Sequence, residues 1–123
     1  KEKENVFLPH KEMKLYLGGI GKGAAVDLTY EFLKSKGLIN FIVNGAGDIR
    51  VHSHENAPRK WKIGIKNPFN PELSIGHIEL SNESIATSGE YIKENHIKSS
   101  ASNRPISVTV ISDSVTKSDV LKS

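Results

Sequence analysis

The pattern of apolar and polar positions divides the chain into short elements. From Ala24 onward, Ala25, Leu28, Phe32 and Leu33 recur at helical spacing and predict a helix over about 22–36. Lys34 and Lys36 fall in its last turn, where cations suit the helix dipole, and Gly37 follows as the cap. Ile39 to Val43 is rich in β-branched residues and predicts a buried strand, Asn44 to Gly47 a tight turn, and Asp48 to His52 a second strand. Trp61 to Ile65 alternates as a strand closed by two Asn-Pro steps, and Ile75 to Leu80 and Ser107 to Ile111 predict two more. Thr116 to Ser123 has the composition of a second helix. Upstream, residues 1–13 form a polar lead-in with a short strand near Val6 to Leu8, and the alternation of residues 14–17 (KLYL) fits a strand end. The stretch 85–91 (IATSGEY) is expected as a loop, and residues 95–104 as polar and irregular. Strands dominate and two helices flank them, which predicts an α+β fold with a mixed or antiparallel sheet flanked by helices.

Composition narrows the function classes. A chain of 123 residues with 37% hydrophobic and 25% charged residues has the balance of one small globular domain. With four Phe, three Tyr and one Trp, most of its packing must be aliphatic. The net charge of +3 comes from dispersed lysines rather than a basic block. That argues against nucleic acid and suits an anionic small ligand or plain solubility. Without cysteine, disulfides, thiolate zinc sites and a cysteine nucleophile are excluded. No run of about 18 apolar residues is present to cross a membrane as a helix. The first residue is Lys1 rather than a methionine, which reads as a processed or partial chain.

The candidate chemistry begins at LGGIGKGAAVD, residues 17–27, where four glycines fall in six residues at the start of the first helix. Lys22 is followed by Gly23 rather than Ser or Thr, so this is not a P-loop, and the glycine spacing is not that of a dinucleotide fingerprint. Two readings stay open: a tight turn into a helix, or exposed backbone groups with Lys22 facing an anion or a cation. TSGEY, 87–91, is either a simple turn or a small-residue loop presenting a hydroxyl and amides. His52 and His54 form an H-x-H pair without an obvious third ligand, which favours a solvated edge. His96 lies in a polar stretch, as a surface residue or a proton carrier. Asp119 and Ser123, four apart on the last helix, could place two hard oxygen donors on one face, suited to Mg²⁺, or could be ordinary surface residues.

The ordered series LGGIGKGAAVD, VNGAGDI, WKIGIKNP, ATSGEY, HI, SVTVI and KSDVLKS closely resembles the ApbE family of FAD:protein FMN transferases over residues 12–123. The resemblance implies one ApbE-like domain spanning 1–123 that corresponds to the C-terminal portion of the family fold. It implies an enzyme that uses FAD and Mg²⁺, releases AMP and leaves FMN on a Thr or Ser of a target flavoprotein. Subunits of membrane redox complexes and extracytoplasmic flavoproteins are the acceptors it suggests, with an extracytoplasmic location. It also implies site roles. The Gly19 carbonyl, Asp119 and Ser123 would hold the metal, and Lys22, Lys98, Thr87, Ser88 and Gly89 would contact FAD. His96 would move the acceptor proton. Tyr16 stands where the family has an acid, and the family's H-I-x-D-P-x-T-G reads HIKSSASN from His96. The alternatives are a module that binds or hydrolyses FAD without transferring FMN, and a structural or partner-binding domain of the same fold.

Overall fold

The computed structural model describes residues 5–89 and 105–122. Helix α1 spans Gly21–Ser35, followed by strands β1 (Phe41–Gly45), β2 (Asp48–His52), β3 (Trp61–Lys66), β4 (Ser74–Leu80), β5 (Ser84–Gly89) and β6 (Ser107–Ser112), and by helix α2 (Val115–Leu121). Four strands form an antiparallel sheet in the order β1-β2-β5-β6, and β3 and β4 form a separate antiparallel hairpin. This is the α+β class that the sequence predicts.

Strand β2 shows how the layers are specified. Its alternation sends Ile49 and Val51 to one face, where they meet Leu80, Ile85, Trp61, Ile63 and Ile78 in the main apolar cluster. Asp48, Arg50 and His52 face the other way and each meets a helical side chain. The hairpin therefore covers the sheet's apolar face, and the two helices pack on its polar one.

Several expectations need correction. The helix over 22–36 is present and ends, as expected, at Gly37, whose φ of +80° suits glycine. Its buried positions, however, are Gly23, Val26 and Tyr30, while Leu28 is 73% exposed and Phe32 59% exposed. The apolar stripe misleads because the inward face carries Asp27 and Tyr30, which find polar partners on β2 and α2. Residues 84–89 are not a loop but the strand β5, paired with β2 on one side and β6 on the other. Small hydroxylated residues serve there because α2 lies close: Ser84, Ser112 and Ser118 share hydroxyl hydrogen bonds at 2.8–3.3 Å. Residues 6–8 and 14–17 form no strand; Val6, Phe7, Leu15 and Tyr16 are exposed and have no neighbouring ladder to join. Strand β1 is displaced two residues along from its expected span.

Candidate functional site

The two helices meet at a site assembled from both ends of the chain. Glycine at position 23 lets them approach closely. A side-chain carbon there would stand 2.6 Å from Asp119 Oδ2 and 3.0 Å from the Thr116 backbone. In the space left open, the Gly23 N–H donates to Asp119 Oδ2 at 2.8 Å. In return Asp27 serves the start of α2: Oδ1 accepts from the Val115 N–H at 3.0 Å, and Oδ2 accepts from the Thr116 N–H at 2.9 Å and its hydroxyl at 2.6 Å. Each helix thus supplies the carboxylate that satisfies otherwise orphaned amides of the other. Burial pushes the Asp27 carboxyl up, but the Thr116 and Val115 hydrogen bonds and the Arg50 charge more than offset it and hold it below the ordinary 3.8.

Beside this junction lies a set of four charges. The Lys122 ammonium bridges Asp48 Oδ1 at 2.5 Å and Asp119 Oδ1 at 2.6 Å, and its side chain is only 5% exposed. Lys22, from the glycine turn, reaches Asp48 Oδ2 at 2.8 Å with a side chain 54% exposed. That contact is an ion pair off the hydrogen-bonding direction. Burial raises the Asp48 carboxyl, yet the two ammonium groups outweigh it and keep it below 3.8. The two lysines are not equivalent. Lys122 is locked inside, whereas Lys22 can turn toward a ligand while Asp48 keeps a partner.

Two clefts adjoin the β1–β2 turn, where Ala46 and Gly47 both have positive φ. One, of about 340 Å³, lies between the sheet and the hairpin, walled by Ile49, Ile63, Ile65 and Ile85, with Thr87 at its lining. The other, of about 460 Å³, is a shallower recess lined by Lys22, Val26, Thr29 and Val43. Asn44 and Ala46 line both.

The expected site residues fall in different parts of this arrangement. Asp119, Lys22 and the start of α1 come together. Thr87 reaches the first cleft and its hydroxyl bonds that of Thr109 at 2.9 Å. Ser88, next along the strand, points to the opposite face and is buried with its hydroxyl unpaired among the described residues. Thr87 and Ser88 therefore cannot line one surface, as a loop would have allowed. Gly19 lies in the exposed turn before α1, and Gly89 ends β5. His96, Lys98 and Ser123 lie outside the described residues. His52 is no solvated edge: it is buried, its Nδ1 is 2.9 Å from the Tyr30 hydroxyl, and it packs on Phe41. Asp27, Asp48, Arg50 and Lys122 were not singled out by sequence reasoning. Asp27 closes the quoted glycine motif and Asp48 lies in NGAGD, so the signal for both was their place inside recurring motifs rather than any spacing.

The donors can also be tested against a divalent ion. Both Asp119 oxygens are taken, one by the Gly23 amide and one by the Lys122 ammonium. The nearest buried carboxylate, Asp48, is held by the same ammonium. Among the described residues no three His, Cys, Asp or Glu side chains gather as ligands. In this arrangement the residues present do not fit Mg²⁺.

Comparison with known proteins decides the family. The sequence profile of the ApbE family matches residues 1–123. The chain belongs to the ApbE family. Among its ApbE relatives, a Vibrio cholerae protein named FAD:protein FMN transferase is 32% identical over 113 residues, covering 85% of this chain and 34% of that protein. One of the same name from Rhodobacter capsulatus is 32% identical over 120 residues, covering 87% of this chain and 23% of that protein. The ApbE crystal structure from Thermotoga maritima superposes with a TM-score of 0.73 at 28% identity, covering 89% of this chain and 39% of the other. The apo flavinyl transferase ApbE of Pseudomonas stutzeri gives 0.65 at 25% identity, with 89% and 36% covered. The chain thus spans about a third or less of the length of these ApbE curated relatives.

Proposed function

We propose that this chain is the part of an FAD:protein FMN transferase that holds the dinucleotide, and that the protein moves FMN from FAD to a Thr or Ser hydroxyl of a target flavoprotein. The observation that carries this is the pair of clefts on either side of the Asn44–Gly47 turn, one apolar and one bearing Lys22. An apolar recess suits a flat aromatic ring, and a half-exposed lysine beside it suits the pyrophosphate. The family match supplies the reaction class.

In this reaction the acceptor oxygen attacks the phosphorus on the flavin side. A new P–O bond forms to the acceptor, the bond to the bridging oxygen breaks, and AMP leaves with the electron pair. The hydroxyl proton passes to His96 and from there to solvent or the leaving phosphate. Lys22 answers the negative charge, and positioning supplies most of the rest. Lys98, Thr87 and Gly89 belong to the proposed FAD contacts, Thr87 from the cleft side, whereas Ser88, buried on the opposite face of β5, does not. The resemblance would place Mg²⁺ on Gly19, Asp119 and Ser123, but both Asp119 oxygens are filled by the Gly23 amide and the Lys122 ammonium, and no step is assigned to the ion. The proposed acceptors are extracytoplasmic flavoproteins, membrane redox subunits among them.

Incubation of the protein with FAD, Mg²⁺ and a Thr-containing acceptor peptide, read by mass spectrometry, tests the proposal. A peptide gain of one FMN phosphoester with one AMP released is expected. FMN and AMP without labelling would make the protein a hydrolase, and intact FAD throughout would refute both.

A further inference from the structure

We infer that Lys122 is a resident cation, its ammonium holding the place between Asp48 and Asp119 that a divalent ion would otherwise take, so that removing it creates a divalent-cation site. The argument is geometric. Two carboxylate oxygens from distant parts of the chain, Asp48 Oδ1 and Asp119 Oδ1, converge on one point, at 2.5 and 2.6 Å. These are the distances at which carboxylate oxygens surround a Ca²⁺ ion, and a modest contraction brings them to those of Mg²⁺. Both side chains are 1–2% exposed, so the pair cannot stay charged without a cation between them. Lys22 does not fill that role, because it binds the other oxygen of Asp48 from a half-exposed position.

An ammonium and a divalent ion cannot share this point. Lys122 is the capping residue that follows α2, three residues beyond Asp119, and the helix end delivers its ammonium onto the carboxylate. The fixed charge is supplied by the fold and needs no ion from solution. The inference stands on the charge cluster and holds whether or not FMN transfer occurs. Its test therefore reads metal binding and stability rather than transfer.

The protein, its Lys122→Ala variant and its Asp119→Asn variant are titrated with Mn²⁺, followed by the loss of the free-ion electron paramagnetic resonance signal. Each is also melted with and without 10 mM Mg²⁺ or Ca²⁺, a concentration on the order of those used to saturate weak sites. The unaltered protein should bind no Mn²⁺ at submillimolar concentration and show no shift in Tm. Lys122→Ala should melt lower without metal, bind Mn²⁺, and regain several degrees with Mg²⁺ or Ca²⁺. Submillimolar Mn²⁺ binding by the unaltered protein that Asp119→Asn abolishes would overturn the inference, as would a Lys122→Ala variant indifferent to divalent ions. If Lys122→Ala does not fold, Lys122→Gln takes its place with the same expectations, and the unaltered protein's titration still decides the first outcome.

Discussion

The Gly23 amide and the Asp119 carboxylate meet at 2.8 Å across 96 residues of sequence, and this one bond joins the start of α1 to the body of α2. With Asp27 serving the start of α2 in return, the helix pair is joined at two points by side-chain hydrogen bonds. The arrangement also draws Asp119 and Lys22 to the same corner of the sheet, where Asp48 begins β2.

Gly23→Ala separates two opposing effects. Helix propensity alone favours alanine by about 1 kcal/mol. The added carbon would stand 2.6 Å from Asp119 Oδ2 and 3.0 Å from the Thr116 backbone, so α2 must shift. Such overpacking costs about 1–3 kcal/mol, and the lost hydrogen bond adds about 1 more. The clash should win, and urea unfolding should show a net loss of about 1–3 kcal/mol. A variant more stable than the parent would mean that α2 is not seated on α1 in this way.

Asp27 and Asp48 give the fold a defined acid limit. Both carboxyls titrate below 3.8 when folded, so the unfolded chain takes up protons first as the pH falls. Their contribution is fully present above about pH 5 and is lost progressively as the pH drops through the unfolded and then the folded value. Urea midpoints measured from pH 6 to pH 3 should be flat at first and then fall. Asp27→Asn should remove part of that fall. At neutral pH it should also cost about 2–4 kcal/mol, from a lost helix cap and a broken, largely buried pair with Arg50. An unchanged acid slope in Asp27→Asn would assign the acid limit elsewhere.

What the sequence reveals and what it hides follow the same physics. The β2 alternation, the β3–β4 hairpin and the span of α1 are legible because period-2 and helical patterns reflect covalent geometry alone. The buried face of α1 is not, because hydropathy scores Asp27 as outward while its four hydrogen bonds, to Arg50, Val115 and Thr116, draw it inward. β5 escapes for a related reason: Ser84, Ala86, Ser88 and Gly89 carry no strand signature and dilute that of Ile85 and Thr87, and the close helix above explains their small size. Asp119 and Lys22 are visible as motif residues. Their coupling through Asp48 and Lys122 is not, since it depends on contacts 74 and 26 residues apart; the sequence carries no local trace of either.

His52 should behave as a neutral, structural histidine. Burial lowers its pKa below 6.5, with the Lys34 charge adding to the effect. The unfolded chain therefore protonates first, so stability present above about pH 6.5 declines as the pH falls toward the folded value. Its ring carbon resonances should titrate with a midpoint below the ordinary 6.5. Tyr30→Phe removes the hydroxyl 2.9 Å from Nδ1 and should cost about 1 kcal/mol. A ring that titrates at its ordinary value would place His52 in solvent, contrary to its packing against Tyr30 and Phe41.

Lys22→Ala should separate ligand binding from folding. Its side chain is 54% exposed, and Asp48 keeps the Lys122 ammonium when Lys22 is gone. The loss in stability should therefore be small, about 1 kcal/mol or less, as for exposed ion pairs. An ammonium on a pyrophosphate oxygen makes a charge-assisted contact of about 1.5–3 kcal/mol, so FAD affinity should fall about tenfold to a hundredfold. Titration by FAD fluorescence, beside a urea midpoint for each protein, reads both quantities. Lys22→Arg should recover most of the affinity, because charge at that position is what the ligand requires. Equal affinity in parent and Lys22→Ala would move the pyrophosphate away from the glycine turn, and a large loss of stability would show that Lys22, and not Lys122 alone, holds Asp48 in the fold.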